Sequence, residues 1–428
     1  MTDDIFLTLS LLLMGALLAR FVASLIGIPE ILLLVAIGAL FGPSVLDVVD
    51  VPFESLGAQL IFTLGVSLIL FYGGLSLSLP VLRQVWLSLG LLAVPGMLLT
   101  ALVVGVAAHL AFDLPWDAAL LVGAVLSPTD PAILIPLFVR SRLRPKLAQT
   151  VIAESAFNDP TGAALALTLA GVLLTGSDSI AAPATEFLVD LAISTAIGIV
   201  AGIVLAAAIS SDRSGIWRES AAIAVLTVVT ISFFSLDTAG GSGYLGAFLA
   251  GLIVGNMDNL GLGMSEAHEQ DVRQFAFNLA DVVTLIVFMV LGANIPFAEL
   301  GENLLPALAV LATLMLVARP LTVFSCAMPD RGARWTRQEI AFLCWTRETG
   351  VVPAALVGVL AGLGVPNIDV YASVVALAIV LTLLLQALPA AWLAGRLGLL
   401  DPVLRTTGGS GRSPTGRPAR ASPETPAA

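Results

Sequence analysis

The chain has 428 residues, of which 58% are hydrophobic and only 11% are charged. Soluble domains carry about 25% charged residues, so this composition excludes a soluble globular protein and indicates a polytopic membrane protein. The formal net charge of −11 does not indicate a nucleic-acid partner, because the acidic residues collect in loops on one side of the predicted membrane. The lipid bilayer is therefore the first partner that the sequence predicts.

Apolar runs of the length that crosses a bilayer, about 17–25 residues, occur at thirteen places. The predicted spans are Ile5–Ile26, Ile31–Val49, Leu56–Leu77, Val85–Phe112, Trp116–Val139, Leu147–Leu174, Phe187–Ser210, Glu219–Leu236, Gly243–Met257, Phe275–Ala293, Asn303–Met328, Gln338–Leu363 and Val370–Leu397. Acidic rather than basic residues precede the first run, which indicates a retained span and not a cleaved signal peptide. We therefore predict an all-α polytopic fold with about thirteen transmembrane helices.

The basic residues predict the orientation of these spans. Sixteen of the 19 lysines and arginines lie in connections after odd-numbered spans, at the C-terminal end of the last span or beyond it. The charged residues in connections after even-numbered spans are all acids. By the positive-inside rule, the odd connections are cytoplasmic. The N-terminus is then outside and the C-terminus is cytoplasmic, in a multi-pass protein of the cell membrane.

Two regions follow from composition. Residues 1–397 form the predicted membrane domain, with the polar segment Asp258–Gln274 linking its halves along the membrane surface. Residues 398–428 are rich in Pro, Gly, Ser, Thr and Arg and contain little that builds a core. We expect this tail to be disordered and cytoplasmic.

Thirteen spans permit a six–one–six arrangement of two six-helix repeats in opposite orientation. The fifth span of each repeat is then interrupted, by SPTDP in the first and by WTRETGVVP in the second. Broken helices at matching positions are the best sequence indication of a transporter's binding site. We therefore predict inverted repeats with two broken crossing helices.

The SPTDP segment places a carboxylate between two prolines within an apolar span. Pro128 and Pro131 flank Thr129 and Asp130, and each proline removes a backbone donor and disfavours helix before it. Unwound backbone at this depth is tolerated where it lines a cavity. Asp130 is expected to compensate the positive end of a half-helix, while carbonyls near Thr129 face a cation. The alternative is a proline kink in which Asp130 only caps the next helix.

The ESAFNDP segment places further oxygen atoms on one helix. Ser155 and Asp159 share a face, as do Glu154 and Asn158. Hard cations prefer oxygen ligands, and a buried carboxylate holds either a proton or a cation. Such competition is sufficient for exchange, although a structural polar network is the alternative. The predicted ligands of a monovalent cation are Asp159, Ser155, Thr129 and Asp130.

Two arginines lie within apolar spans of the second half. Removing one member of a buried ion pair costs about 3–5 kcal/mol, so each arginine requires a partner. Glu154 is the expected partner of Arg319, whereas Glu348 or a helix C-terminus serves Arg347. Both arginines are expected to be structural, with Arg347 also supplying the compensating positive charge in the second crossing helix.

Together, the Thr-Asp-Pro, Glu-Ser-x-x-Asn-Asp, Arg-Pro and second-crossing Arg motifs resemble the monovalent cation:proton antiporters of the NhaP and NHE type. The resemblance implies an NhaA-like fold and a homodimer, in which core and dimerisation subdomains are interleaved along residues 1–397. It implies no cofactor and an electroneutral exchange of one cation for one proton. The residue roles that it implies are Asp159 as the ion- and proton-binding carboxylate, Thr129, Asp130, Ser155 and Asn158 around it, and Glu154 with Arg319 as a stabilising ion pair.

Two positions depart from the family pattern. Gly73 stands where some relatives have an acidic residue, and Glu348 follows the crossing-helix arginine where many relatives have glycine. Both departures bear on which cation is preferred.

The main functional hypothesis is antiport of Na⁺, or of Li⁺ or K⁺, against H⁺ in pH and salt homeostasis. K⁺/H⁺ exchange is the close alternative, and the motifs do not separate the two. An intramembrane enzyme is disfavoured, because the chain has only His109 and His268 and lacks HExxH and GxSxG motifs. A channel or sensor is the third class, which the two-half arrangement disfavours.

Overall fold

The computed structural model describes residues 2–79, 86–130, 143–176, 181–210 and 215–400. Within these ranges the protein is α-helical, apart from an isolated bridge between Leu143 and Leu400. The helices are α1 (Thr2–Ile26), α2 (Glu30–Phe41), α3 (Leu56–Leu75), α4 (Trp86–Phe112), α5 (Trp116–Leu126), α6 (Pro145–Thr175), α7 (Ala181–Ile209), α8 (Ala221–Ala239), α9 (Gly243–Gly255), α10 (Glu266–Ala293), α11 (Phe297–Glu302), α12 (Leu304–Cys326), α13 (Arg337–Trp345), α14 (Val351–Gly362) and α15 (Ile368–Arg396).

The predicted all-helical membrane fold is confirmed. In the described part of the chain, nine helices are long and apolar enough to cross a membrane, and α2, α5, α9 and α14 are shorter apolar helices. Each predicted span overlaps at least one described helix. The exact number of thirteen crossings stays a prediction, because four of the helices are short.

Two predicted boundaries are wrong by eight residues or more. Helix α2 ends at Phe41, eight residues before the predicted end of the second span at Val49, because Gly42 and Pro43 interrupt the helix. Helix α10 begins at Glu266, nine residues before the predicted start at Phe275. The Ser265 hydroxyl accepts a hydrogen bond from the backbone N–H of His268, which starts the helix at this point. Much of the polar segment that was predicted to run along the membrane surface is therefore the first part of a spanning helix.

Glycines allow two pairs of helices to touch backbone to backbone. A Cβ atom on Gly38 of α2 would lie 2.2 Å from the carbonyl oxygen of Met289 in α10. In the same way, a Cβ on Gly251 of α9 would lie 2.0 Å from the carbonyl oxygen of Phe71 in α3. Small residues permit this close approach in membrane helices, where burial of apolar surface does not favour association. In the six–one–six arrangement, the pair α2–α10 is equivalent to the pair α9–α3.

Two other helices carry equivalent irregularities. A π-helical turn interrupts α4 at Leu92–Gly96, and another interrupts α12 at Leu314–Ala318. The two helices pack together, with the Thr100 and Thr322 hydroxyls 3.0 Å apart. They are the fourth span of each predicted repeat, so the paired irregularities agree with that repeat.

The packed chain continues past the predicted domain boundary at residue 397. Leu399 is buried, and its carbonyl accepts a hydrogen bond of 3.1 Å from the backbone N–H of Arg144. The rest of the predicted tail, residues 401–428, lies outside the described residues. Arg140 and Arg142, in the connection after the fifth predicted span, also lie outside them.

Candidate ion-binding site

The first interrupted span ends its helix where the sequence predicts. Helix α5 stops at Leu126, and the next four residues, Ser127–Asp130, are non-helical and buried. We call these four residues the first break. The Ser127 hydroxyl donates to the carbonyl of Ala124 at 2.8 Å, which satisfies one acceptor at the helix end. The continuation of this predicted span lies outside the described residues.

The second interrupted span has a helix on each side of its break. Helix α13 ends at Trp345 and α14 begins at Val351. The five residues between them, Thr346–Gly350, are non-helical and buried, and we call them the second break. A Cβ atom on Gly350 would lie 2.0 Å from the carboxylate of Asp130. Only glycine therefore fits where the two non-helical segments meet.

The two breaks cross and hold each other through hydrogen bonds. The backbone N–H of Asp130 donates to the carbonyl of Glu348 at 3.1 Å, and its Oδ2 accepts from the N–H of Val351 at 3.0 Å. Arg347 Nη2 donates to the carbonyls of Leu126 and Ser127 at 2.7 and 2.8 Å. A carboxylate thus meets the N-terminus of α14, and a guanidinium meets the C-terminus of α5.

This arrangement compensates two half-helix dipoles at the crossing. Each break supplies the charge for the other span: Asp130 accepts from the first N–H of α14, and Arg347 binds the C-terminal end of α5 rather than the Glu348 carboxylate. Of the two partners that the sequence left open for Arg347, the helix C-terminus is the one that the structure shows.

Helix α6 binds the first break through polar side chains one turn apart. Asn158 Oδ1 accepts from the backbone N–H of Thr129 at 3.1 Å, and its Nδ2 donates to Thr129 Oγ1 at 2.9 Å. The Ser155 hydroxyl donates to the carbonyl of Thr129. The break is therefore held at a defined position against the face of α6 that carries Asp159.

Asp159 differs from these neighbours in its hydrogen bonding. The residue is buried, and its Oδ1 has no hydrogen-bond partner among the described residues. Of the four predicted cation ligands, Asp130, Ser155 and Thr129 already make protein hydrogen bonds, whereas Asp159 presents a carboxylate oxygen without one. Leaving a buried acceptor unpaired costs about 1–3 kcal/mol, and a bound proton or cation removes that cost.

Helix α6 also contributes one member of a buried ion pair. The Glu154 carboxylate accepts hydrogen bonds from both terminal nitrogens of the Arg319 guanidinium, with Nη2 3.1 Å from Oε2. Both residues are only 3% exposed. Arg319 Nε also donates to the carbonyl of Leu343 at 2.8 Å. The pair thus connects α6, α12 and the C-terminal end of α13.

Sequence reasoning did not find two polar residues of α15 that support the second break. Thr382 Oγ1 accepts from the N–H of Thr349 at 3.1 Å, and Gln386 Nε2 donates to the carbonyl of Trp345 at 2.6 Å. Both are buried polar side chains four residues apart in an apolar span. That spacing on one helix face was the signal that would have identified them.

Glu348 is placed at the crossing but its side chain has a separate environment. Its backbone carbonyl accepts a hydrogen bond from the N–H of Asp130, whereas its Oε1 is buried without a hydrogen-bond partner in the described structure.

Gly73 is the other departure from the family pattern, and a Cβ atom at this position would meet no described atom within 4 Å. Within the described ranges, no three His, Cys, Asp or Glu side chains form a group that could hold a metal ion.

Comparison with known proteins relates the whole membrane region to ion exchangers. The family described as the transmembrane sodium/hydrogen exchanger matches residues 10–395. The chain is 28% identical over 391 residues to a K(+)/H(+) antiporter NhaP2 of Shewanella, covering 88% of this chain and 65% of that protein. It is 30% identical over 359 residues to a probable Na(+)/H(+) antiporter of Methanocaldococcus jannaschii, covering 81% of this chain and 82% of that protein.

The fold also matches a solved structure. The sodium proton antiporter MjNhaP1 from Methanocaldococcus jannaschii superposes with a TM-score of 0.80 at 24% identity, over 92% of this chain and 99% of that chain. The present chain spans about two thirds of the length of the Shewanella relative, at 65%.

Proposed function

Because this chain belongs to the sodium/hydrogen exchanger family, we propose that it is a secondary active antiporter and not an enzyme. It exchanges a monovalent cation, Na⁺ or alternatively Li⁺ or K⁺, for H⁺ across the cell membrane, and it serves pH and salt homeostasis. The observation that carries this proposal is the buried Asp159 carboxylate, with an oxygen that has no partner among the described residues, on the helix that binds the first break.

In this proposal, Asp159 holds a proton or a cation, but not both. The oxygens of Thr129 and Ser155 complete the cation's coordination, and Asn158 keeps Thr129 in position. The charges of Asp130 and Arg347 are already directed at helix ends, so they preserve the crossing while Asp159 changes its charge. Alternating access then exposes the same carboxylate to each side of the membrane in turn.

The exchange is proposed to be electroneutral, with one cation for one proton. An amide at Asn158 adjoins Asp159, so this pair of positions offers a single carboxylate. The working form is a homodimer with the N-terminus outside and the C-terminus in the cytoplasm. The monovalent cations, protons and lipid bilayer are its only proposed partners, and no cofactor is required.

The test is dissipation of a preformed pH gradient in everted membrane vesicles. Added Na⁺, Li⁺ or K⁺ is expected to dissipate the gradient with the parent protein, and Asp159→Asn is expected to abolish this response. Asp190→Asn is the matched control, because Asp190 lies on α7, which packs against α6, and accepts a hydrogen bond of 2.8 Å from Thr168. Full exchange by Asp159→Asn would contradict the assignment of the carboxylate.

The same vesicles separate the ion and charge alternatives. The similar proteins are named as K(+)/H(+) or as Na(+)/H(+) antiporters. Comparing the exchange rates with Na⁺, Li⁺ and K⁺ across pH 6–9 distinguishes the two activities. A membrane-potential dye is expected to remain unchanged during exchange. A potential that develops with turnover would contradict the one-for-one stoichiometry.

A further inference from the structure

A groove of about 880 Å³ lies beside the ends of α12 and α13, away from the crossing. Apolar side chains form one part of it, among them Phe324, Met328 and Ile340. Three arginines line the other part: Arg331 and Arg334 of the connection between the helices, and Arg337, the first residue of α13. The groove is thus divided into an apolar portion along the spanning helix and a basic portion at its end.

The apolar portion is exposed although it lies on α12 and on the turn that follows this helix. Phe324 is 51% exposed and Met328 is 58% exposed. On their inner side, α12 and α13 are fixed by a buried cluster that includes Val323, Phe342 and Leu343. The exposed residues therefore form a separate outer surface near the C-terminal end of α12. In the membrane, this surface faces lipid chains rather than water.

The three arginines have no ion-pair or side-chain hydrogen-bond partner in the described structure. The two acids nearest in sequence are Asp330, which also lines the groove, and Glu339. Asp330 Oδ2 accepts from the Ser88 hydroxyl at 2.6 Å, and its Oδ1 accepts from the N–H of Ala333 at 3.1 Å. Glu339 binds Lys146 at 3.2 Å and the capping N–H of Thr336 at 2.9 Å. The groove is therefore lined by three arginines and one acid, Asp330, and keeps a net positive charge at this end.

We propose that the α12–α13 groove binds an anionic phospholipid. The arginines bind the phosphate of its headgroup, since guanidinium groups match phosphate oxygens with paired donors. An acyl chain lies along Phe324 and Met328. The adjacent Trp335 contacts Lys146, whose Nζ lies 4.0 Å from the ring centroid, and this pairing of an aromatic ring with a cation is typical of headgroup depth.

The charge of the chain's own C-terminal segment makes this segment an unfavourable occupant of the groove. Residues 401–428 contain four arginines and two acids, so the segment is positive overall. It would meet the three groove arginines with like charge. An anionic lipid supplies both the negative group and the apolar chain that the two portions of the groove require.

The lipid would contact the outer side of two helices that hold the crossing. Pro320 lines the groove and directly follows Arg319, and Cys344 lies one turn before the second break. Binding is therefore expected to stabilise the packing of α12 against α13 as well as to hold the lipid.

The test measures retention of phosphatidylglycerol by the full-length purified protein in phosphatidylcholine–detergent micelles, together with its melting midpoint. Phosphatidylglycerol is expected to raise the midpoint above that in phosphatidylcholine alone. The variant Arg331→Gln/Arg334→Gln/Arg337→Gln is expected to bind phosphatidylglycerol on the order of 100-fold more weakly, because each basic residue near an anionic lipid strengthens binding by about fivefold.

The control Arg218→Gln/Arg396→Gln/Arg405→Gln removes the same charge from other predicted cytoplasmic positions and is expected to bind like the parent. Ala341→Trp, which fills the apolar portion and keeps all three arginines, is expected to lose the lipid. Equal midpoints of the parent in the two lipids would overturn the proposal, and so would full retention by the groove triple variant. Equal stabilisation by inorganic phosphate would also overturn it, because a free anion would then be sufficient.

Discussion

At the scale of single residues, three buried acids of neighbouring sequence have different surroundings. Glu154 forms an ion pair with Arg319, Asp130 accepts from the first N–H of α14, and Asp159 keeps an oxygen without a described partner. In the proposed mechanism, these differences separate two acids that maintain the fold from one that binds the transported ion. Only the last is expected to change its occupant during exchange.

The ion pair predicts a large loss of stability. Glu154→Gln leaves the Arg319 guanidinium buried without a countercharge, and breaking a buried pair in this way costs about 3–5 kcal/mol. We expect a clear fall in the melting midpoint of the purified protein. Arg20→Gln is the comparison, because the Arg20 side chain is 42% exposed in its ion pairs with Glu30 and Asp281. A partly exposed pair contributes about 0–1 kcal/mol, so similar losses in the two variants would contradict the structural role.

At the scale of helices, contact between backbones determines how α3 and α9 pack. A Cβ atom on Gly74 would lie 2.1 Å from the carbonyl oxygen of Phe248, whereas a Cβ on the preceding Gly73 would have no neighbour within 4 Å. Adjacent glycines of one helix therefore have different functions. The first faces open space, and the second lies in a helix–helix contact that no larger residue fits without movement of a backbone.

This difference predicts opposite results for two neighbouring substitutions. Gly74→Ala is expected to destabilise the protein by about 1–3 kcal/mol, because overpacking forces the two backbones apart. Gly73→Ala is expected to be neutral or slightly stabilising, since alanine favours helix more than glycine does. Thermal unfolding of both variants in one detergent is the measurement. Equal midpoints would show that the α3–α9 contact adapts freely.

At the scale of the whole molecule, matching features recur in the two halves. The glycine contacts of α2–α10 and α9–α3, the π-helical turns of α4 and α12, and the two interrupted spans fall at equivalent places in the six–one–six arrangement. The interrupted spans meet each other, so neither half completes the crossing alone. A site that forms between two halves is suited to rearrangement of one structural unit against another.

The orientation of the chain is testable with single cysteines. In a background with Cys326 and Cys344 replaced by alanine, we expect Thr238→Cys to react with a membrane-impermeant thiol reagent in intact cells. Glu266→Cys is expected to react only in everted vesicles. Both positions are exposed, and they follow an even-numbered and an odd-numbered predicted span respectively. The opposite labelling pattern would invert the predicted topology.

The sequence by itself determined which class of protein this is and where its site begins. Apolar runs of spanning length require helices, because backbone groups in lipid must be satisfied within the segment. The prolines around Thr129 predicted the first break, and the carboxylates of the next span predicted the neighbouring helix face. These properties depend on residues close together in the chain, so a pattern of neighbours is sufficient to find them.

Only the tertiary structure decided which group each buried charge meets. Arg347 binds the carbonyl of Leu126, which is 221 positions away in the sequence, and Glu154 binds Arg319 across 165 positions. The second break is supported by Thr382 of another helix, and its Gly350 is required by the approach of Asp130. Such contacts depend on how helices pack and not on local periodicity, so a charge in an apolar run indicates that a partner is needed but not which residue it is.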